Sequence, residues 1–313
     1  MKALPARRAL VELFLATIFW GFGYIATVWA LEMASALEIT FLRFFLGGLF
    51  GLFFVRSFAL RSEAFFKLLR LSFWPGFFMA TLLLSQTWGL EYTTAVNSTF
   101  ITSLYVVITP FLEWAVLKKR SPVIFFAYAC VSLVGVGLIL RGSAQSELLL
   151  GGKAWVGDLL TLITACFSAA HLVSIGRIWR EIERPFLFNA AQSLWAALLL
   201  FPFLIAQIFF AGPHSVGLFA GVSKVSIEAV IGLLSLIFGS TMLAFFLQLR
   251  AQSVLSPSLT SLVCLLESPL ALAFALIFLH QPLSSWALLG AVLIFISAVG
   301  ASLTESWLKR SPG

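Results

Sequence analysis

The sequence predicts an all-α integral membrane protein, with ten transmembrane helices arranged as two inverted five-helix repeats. Three observations predict it. Of the 313 residues, 61% are hydrophobic and only 11% are charged, more apolar surface than a soluble core needs. The apolar runs match bilayer length, since about 20 helical residues at about 1.5 Å each cross about 30 Å of hydrocarbon. Finally, a stretch of the first half returns in the second. Residues 102–140 parallel residues 260–299, each with Thr-Ser-Leu, then an intramembrane proline (Pro110, Pro269), then a helix-starting proline (Pro122, Pro282). Five spans per half is an odd number, so the second copy enters the membrane upside down relative to the first. That plan places a site near the midplane, between the copies.

Taken in order, the spans are expected at 9–30, 38–55, 72–90, 95–117, 122–140, 157–179, 185–210, 227–249, 257–279 and 282–303. The start of the chain (Lys2, Arg7, Arg8) resembles the charged region of a signal peptide, but the apolar run behind it is of full spanning length and reads as an uncleaved first helix. Span two carries Arg43 about five residues inside its outer end, and its Gly47 and Gly51 form a GxxxG that licenses close helix contact. Spans nine and ten open on Pro257 and Pro282, where a helix tolerates proline because its first residue has no use for an N–H. The linker at 141–155 is short and contains Gly and Ser, dividing the chain into units 1–145 and 146–313 within one membrane-embedded body. It leaves no room for a soluble catalytic domain, and no glycine loop of the phosphate-cradling kind is present.

The formal charge of +7 does not indicate nucleic acid, because the basic residues sit in short clusters between apolar spans. Sixteen of the 20 Lys and Arg fall on one side when loops are assigned alternately, which predicts that both termini are cytoplasmic; the membrane is expected to be the inner one. The cysteines (Cys130, Cys166, Cys264) lie inside spans without paired spacing, so neither a metal nor a disulfide is expected, and packing is their plain role. No cofactor is implied. Monomer and homodimer both remain open.

Within lipid, a stripe of polar groups at helical spacing marks a face turned to protein or to a cavity. Span one carries Thr17, Trp20, Tyr24 and Thr27; span three Thr81, Ser85, Gln86 and Trp88; span four Ser98, Thr102, Tyr105, Thr109 and Glu113. Span six has Thr161, Thr164, Ser168 and His171, span seven Asn189 and Gln192, and span nine Ser253, Ser256, Thr260 and Glu267. Spans five and ten offer little beyond Tyr128, Ser132 and Ser297, and are expected at the periphery as braces. The substrate-contact candidates are Trp20, Tyr24, Gln86, Trp88, Ser98, Thr102 and Tyr105 in the first half, with Ser168, His171, Asn189, Gln192, Thr260 and Glu267 in the second. Trp20 and Trp88 are candidates for stacking on a flat or apolar substrate.

Each carries a plainer reading beside the functional one. Serine and threonine commonly bond back to their own helix or join helices at about 0.6–2 kcal/mol per contact. His171 suits a helix–helix hydrogen bond as well as a cavity wall. Glu267, whose mid-membrane charge costs about 2.5–3.5 kcal/mol even on the lenient insertion scale, fits a substrate amine, a proton, or a buried structural hydrogen bond. Glu113 reads as structural. Arg43 fits a structural or gating salt bridge, with Glu32, Glu38 and Glu91 as partners for an outward-reaching side chain, ahead of anion binding.

Several of these segments resemble the EamA family of the drug/metabolite transporter superfamily. FWGFGYIATVWAL in span one is similar to its WG-S-N-F opening, and ITFLRFFLGG to its span-two arginine motif at Arg43. Gln86–Leu90 with the following YTTAVNSTFIT resembles its span-three-to-four junction, Gly157–Asp158–Leu159 the opening of its second half, and LLESPLALAFALIFLHQPLSS its ninth span. The acidic residue that often follows that ninth span is Gln281 here, and the matching first-half position falls in the basic run 118–120.

The resemblance implies ten spans, cytoplasmic termini, and export or exchange of small metabolites. The expected activity is therefore secondary transport of a small amphipathic metabolite, an amino acid or related compound, by alternating access. A proton or counter-substrate would be the coupling partner. A nucleoside or nucleotide-like cofactor such as S-adenosylmethionine is the alternative substrate. A passive channel and an intramembrane enzyme are the rivals of another class. The enzyme lacks a metal set, since His171 is the only histidine deep in a span, and lacks a nucleophile motif.

Overall fold

The computed structural model describes residues 4–55, 62–93, 95–142, 154–211, 226–278 and 284–308. His214, His280, Gln281, Pro282 and most of the 141–155 linker lie outside them. Among the described residues every regular element is helical, and eight helices are long and apolar enough to cross a membrane.

The elements are α1 (Ala6–Leu31), α2 (Ala36–Val55), α3 (Ser62–Gly89), α4 (Ala95–Thr102), α5 (Tyr105–Leu117), α6 (Val123–Gly142), α7 (Ala154–Ile178) and α8 (Pro185–Ala211). They continue with α9 (Ile227–Ala251), α10 (Pro257–Cys264), α11 (Glu267–Phe278) and α12 (Ser285–Leu308). The third helix begins about ten residues before the expected span. The amphipathic stretch with Lys67 and Arg70 simply continues the helix beyond the apolar run.

Local chemistry sets the ends. At the start of α2, Ser35 and Glu38 form a capping box: the Ser35 N–H donates to Glu38 Oε2 at 2.8 Å and the Glu38 N–H donates to Ser35 Oγ at 3.4 Å. Ser226, Ser256 and Ser284 each accept from the N–H three residues on, opening α9, α10 and α12. Lys118, with φ of 55°, ends α5 in the left-handed region.

The expected fourth and ninth spans are both broken midway. Pro269 has no N–H for the Leu265 carbonyl, and α10 stops at Cys264, one residue short of it. The freed Leu265 carbonyl is taken instead by the Ser268 N–H at 3.0 Å, and the Leu266 N–H tightens to the Val263 carbonyl at 3.1 Å. Ahead of Pro110 the chain likewise pauses at Ser103–Leu104, where Val106 and Val107 bond back three residues rather than four. A third irregularity has no proline. Ser235–Ala244, inside α9, is wound as a π-helix.

The helices pack in a consistent set of pairs. α6 lies along α12, α2 along α8, and α3 along both α7 and α8, while α1 runs beside α9 and α11 and α7 beside α4 and α5. α6 and α12 meet closely enough that a Cβ on Gly290 would stand 2.2 Å from the Gly135 carbonyl oxygen. Their outer faces are exposed, Val123 to 83% and Leu288, Phe295 and Ile296 to more than half. That pairing matches the expected braces. In the GxxxG of α2, Gly47 faces Met242, and Gly51 lies so close to Ala190 that the two helices leave no room for a Cβ there. The largest apolar cluster gathers Leu13, Tyr105, Leu172, Leu259, Leu262 and Ile294 from helices of both halves.

Candidate functional site

The breaks and the π-helix converge on one cavity of about 100 Å³, several times the roughly 10–15 Å³ that one ordered water requires. Trp20 and Tyr24 of α1 form part of its wall, with Gln86 of α3, Thr102 and Tyr105 at the first break, Ser168 and His171 of α7, and Glu267 at the second break. Arg43 of α2 and Ser240 of α9 add to the polar lining, and Leu82, Leu172 and Phe245 contribute apolar wall.

Each polar group is placed by its own local chemistry. Glu267 is the first residue of α11 and is set beside the cavity by the change of course at Leu265–Leu266, with the Ser268 and Leu270 N–H groups already spent on the Leu265 and Leu266 carbonyls. Gly21 lets α1 approach there: a Cβ on it would come within 2.9 Å of Leu270 Cβ and 3.1 Å of the Glu267 carbonyl oxygen. The neighbouring Trp20 therefore reaches the cavity, its ring edge-on to Phe245 at 5.2 Å. Gln86 Nε2 donates to the Tyr24 hydroxyl at 3.2 Å. Two cavity-lining atoms, Thr102 Oγ1 and Tyr105 Oη, are buried without a hydrogen-bond partner. A buried polar atom left unpaired costs about 1–3 kcal/mol.

Behind His171 runs a chain of amides whose direction can be deduced. Asn189 Nδ2 contacts the carbonyl oxygens of Thr241 and Met242 at 3.0 and 2.9 Å, and carbonyls only accept. Asn189 Oδ1 must then accept from Gln192 Nε2 at 2.8 Å, which turns Gln192 Oε1 toward His171 Nε2 at 3.3 Å. His171 consequently carries its proton on Nε2 in the neutral ring, leaving Nδ1 as an acceptor. Asn189 and Gln192, both fully buried, lie behind the wall and orient a residue in it.

Arg43 is 3% exposed and does not reach outward. Its Nε donates to Thr241 Oγ1 at 2.8 Å and its Nη2 to Ser240 Oγ at 2.7 Å, tying α2 to the π-helix. The carboxylates expected to pair with it are elsewhere. Glu38 caps α2, Glu91 accepts from the Ala36 N–H, and Glu32 accepts from the Ser226 hydroxyl at 3.2 Å. Among the described residues the Arg43 guanidinium meets hydroxyls and no carboxylate, so the expected ion pair gives way to a neutral cradle. The reason is depth: the side chain is enclosed against α9 before it can reach the end of the bundle.

The other candidates fall outside the wall. Trp88 is 47% exposed at the end of α3. Ser98 is buried and receives a long 3.5 Å contact from Thr161, while Thr260 bonds back to the Ser256 carbonyl at 2.8 Å. Much of the remaining Ser and Thr stripe does the same, Thr17, Thr81 and Thr109 each donating to a carbonyl of their own helix. Conversely, the cavity includes Thr87, Ser240, Gln248 and Cys264. Thr87 sits beside Gln86 and Trp88 on the stripe of span three, whereas Gln248 lies in span eight, for which the sequence predicts no stripe. Ser240 had no such signal, because a π-helix changes which residues share a face, whereas Cys264 lies one turn beyond Thr260 on the span-nine stripe but is not itself conspicuously polar.

One end of the bundle, where α1 begins, is closed by carboxylates. Glu113 Oε2 accepts from the Ser258 N–H and the Ser121 hydroxyl, each at 3.2 Å, and from the Ser258 hydroxyl in a short bond. Glu305 accepts from the Ser256 N–H at 3.2 Å and its hydroxyl at 2.6 Å. Both grip the start of α10. Glu12 joins Arg8 and Arg250 at 3.1 and 2.9 Å beside them. The cavity lies beyond this layer and extends toward Thr27, Thr87 and Leu90 near the opposite ends of α1 and α3.

Helices of membrane length around one polar cavity, with two of the helix paths broken beside it, define a multi-pass membrane protein built to admit a solute. A family model of the EamA-like transporter family matches residues 7–141 and 155–303, and the chain belongs to that family. An uncharacterized transporter of Archaeoglobus fulgidus is 27% identical over 289 residues, 92% of this chain and 84% of that protein. A crystal structure with 16% sequence identity superposes at a TM-score of 0.75, covering 96% of this chain and 98% of its own, a likeness of fold alone.

Proposed function

We propose that the protein is a secondary carrier that exports or exchanges a small amphipathic metabolite by alternating access, with the substrate held in the central cavity. The observation that carries this reading is the cavity wall itself. It draws on helices of both halves, combines aromatic rings with Glu267 and Arg43, and leaves Thr102 Oγ1 and Tyr105 Oη without partners.

The inverted-repeat reading, with units 1–145 and 146–313 and ten spans, is supported by the pairing of helices. Exchanging each first-half span for its second-half counterpart returns the same set: α1 with α9 becomes α7 with α3, and α1 with α11 becomes α7 with α5. The pairs α2 with α8 and α6 with α12 map onto themselves. With the basic loops in the cytoplasm of a cell whose inner membrane houses the chain, the carboxylate layer is the inner gate in its closed state. Glu267 then meets either a substrate amine or a coupling proton, and a membrane potential supplies about 2.3 kcal/mol per charge per 100 mV to drive it.

Counterflow in proteoliposomes tests the reading. An amino acid or nucleotide-like solute inside should accelerate uptake of the same labelled solute, with saturation. Flux without saturation or exchange points to a channel instead. In the Glu267→Gln variant, transport should lose its pH response or its preference for amines; a normal rate and pH profile would remove Glu267 from the mechanism.

A further inference from the structure

We infer that Arg43 is the anion anchor of the cavity and selects substrates that carry a carboxylate. This deepens the carrier reading and rests on it. The guanidinium has five N–H donors, of which one on Nε and one on Nη2 are spent on Thr241 and Ser240. No described residue accepts from the other three, and the side chain lines the cavity. Hydroxyls fix the position of the fork without neutralising it. A buried cation thus faces the cavity with both Nη1 hydrogens and one on Nη2 unspent, and the two nitrogens together form the fork that takes a planar carboxylate in two parallel bonds.

The π-helix explains why the anchor is rigid. Ser240 and Thr241 are adjacent, and both hydroxyls reach the same guanidinium from within Ser235–Ala244. The backbone of that same segment is held from the other side by Asn189, whose amide spans the Thr241 and Met242 carbonyls. Arg43, the π-helix and α8 form one connected unit. The aromatic walls at Trp20, Tyr24 and Tyr105 lie on other helices of the cavity, so a carboxylate at Arg43 leaves the rest of the substrate free to meet them.

The experiment compares matched compounds: phenylalanine, leucine and methionine, each as the free acid and as the carboxamide. Binding to the purified protein in nanodiscs is read by thermal stabilisation and by Trp fluorescence. The free acids should bind at least tenfold more tightly than their amides. Arg43→Gln should abolish that preference, bringing the ratio to within about twofold of one, and Arg43→Lys should restore part of it as a charge without a fork. The Ser240→Ala/Thr241→Val double variant keeps the cation but frees it, and should reduce the ratio while leaving the protein folded. This second variant guards against a fold-wide effect of removing Arg43.

Acids and amides binding alike to the unaltered protein would overturn the inference, as would an acid preference that survives Arg43→Gln. Absence of binding by all six compounds would also overturn it for these acids. Failure of counterflow for every solute tested sinks the carrier reading, whereas counterflow of amides as fast as acids sinks the anchor alone.

Discussion

Removing Glu113 should open the closed end of the bundle. Its Oε2 accepts from the Ser258 N–H, the Ser258 hydroxyl and the Ser121 hydroxyl, so one oxygen joins α5 to the start of α10 and to the loop before α6. Glu113→Ala leaves the buried Ser258 N–H without that acceptor, a loss of about 1–3 kcal/mol. It also removes a negative charge from a helix start, worth about 0.3–1 kcal/mol more. If these contacts break when this end opens, the closed state loses about 1.3–4 kcal/mol relative to the open one, a shift of about tenfold to several hundredfold. Cys264 reports it, because its thiol lines the cavity while Cys130 and Cys166 are exposed elsewhere and can be replaced. In vesicles of known orientation, a membrane-impermeant maleimide applied from the α1 N-terminal side should label Cys264 at least tenfold faster in Glu113→Ala. Glu113→Gln, which retains an acceptor but not the charge, should fall between. A labelling rate within twofold of the parent for a folded Glu113→Ala protein would refute the clamp.

Two further outcomes follow from packing. Gly290→Ala puts a methyl 2.2 Å from the Gly135 carbonyl oxygen; forcing α6 and α12 apart should cost about 1–3 kcal/mol, visible as a lower melting temperature in detergent without a change in substrate preference. Trp20→Ala should weaken binding of an amphipathic ligand at least tenfold, since Trp20 is in the cavity wall, whereas Trp88→Ala, at an exposed end of α3, should leave it within twofold. Equal effects of the two would displace the cavity from its assigned wall.

Much of the site is legible in the sequence because lipid makes polar residues conspicuous. Trp20, Tyr24, Gln86, Thr102, Tyr105, Ser168, His171 and Glu267 stand out on otherwise apolar helices, and all eight line one cavity. Periodicity fails for Asn189 and Gln192, which are equally polar but spend their bonds on His171 and the π-helix. It also fails for Trp88, because a stripe does not say where along the helix a cavity ends. For Arg43 the sequence points to the wrong partners: long side chains snorkel when they can, and only the enclosing turn of α9 shows that this one cannot.

Composition and apolar run length alone determined that the chain is helical and membrane-embedded, because each span must satisfy its backbone internally whatever surrounds it. The prolines alone did not mark the breaks: α3 and α8 run through Pro75 and Pro202, and the break ahead of Pro110 falls at Ser103–Leu104. Tertiary structure alone decided the π-helix, the neutral cradle of Arg43 and the carboxylates that close one end. Those depend on which hydroxyl or carbonyl a neighbouring helix presents, and contacts such as Arg43 with Thr241 join residues nearly two hundred positions apart.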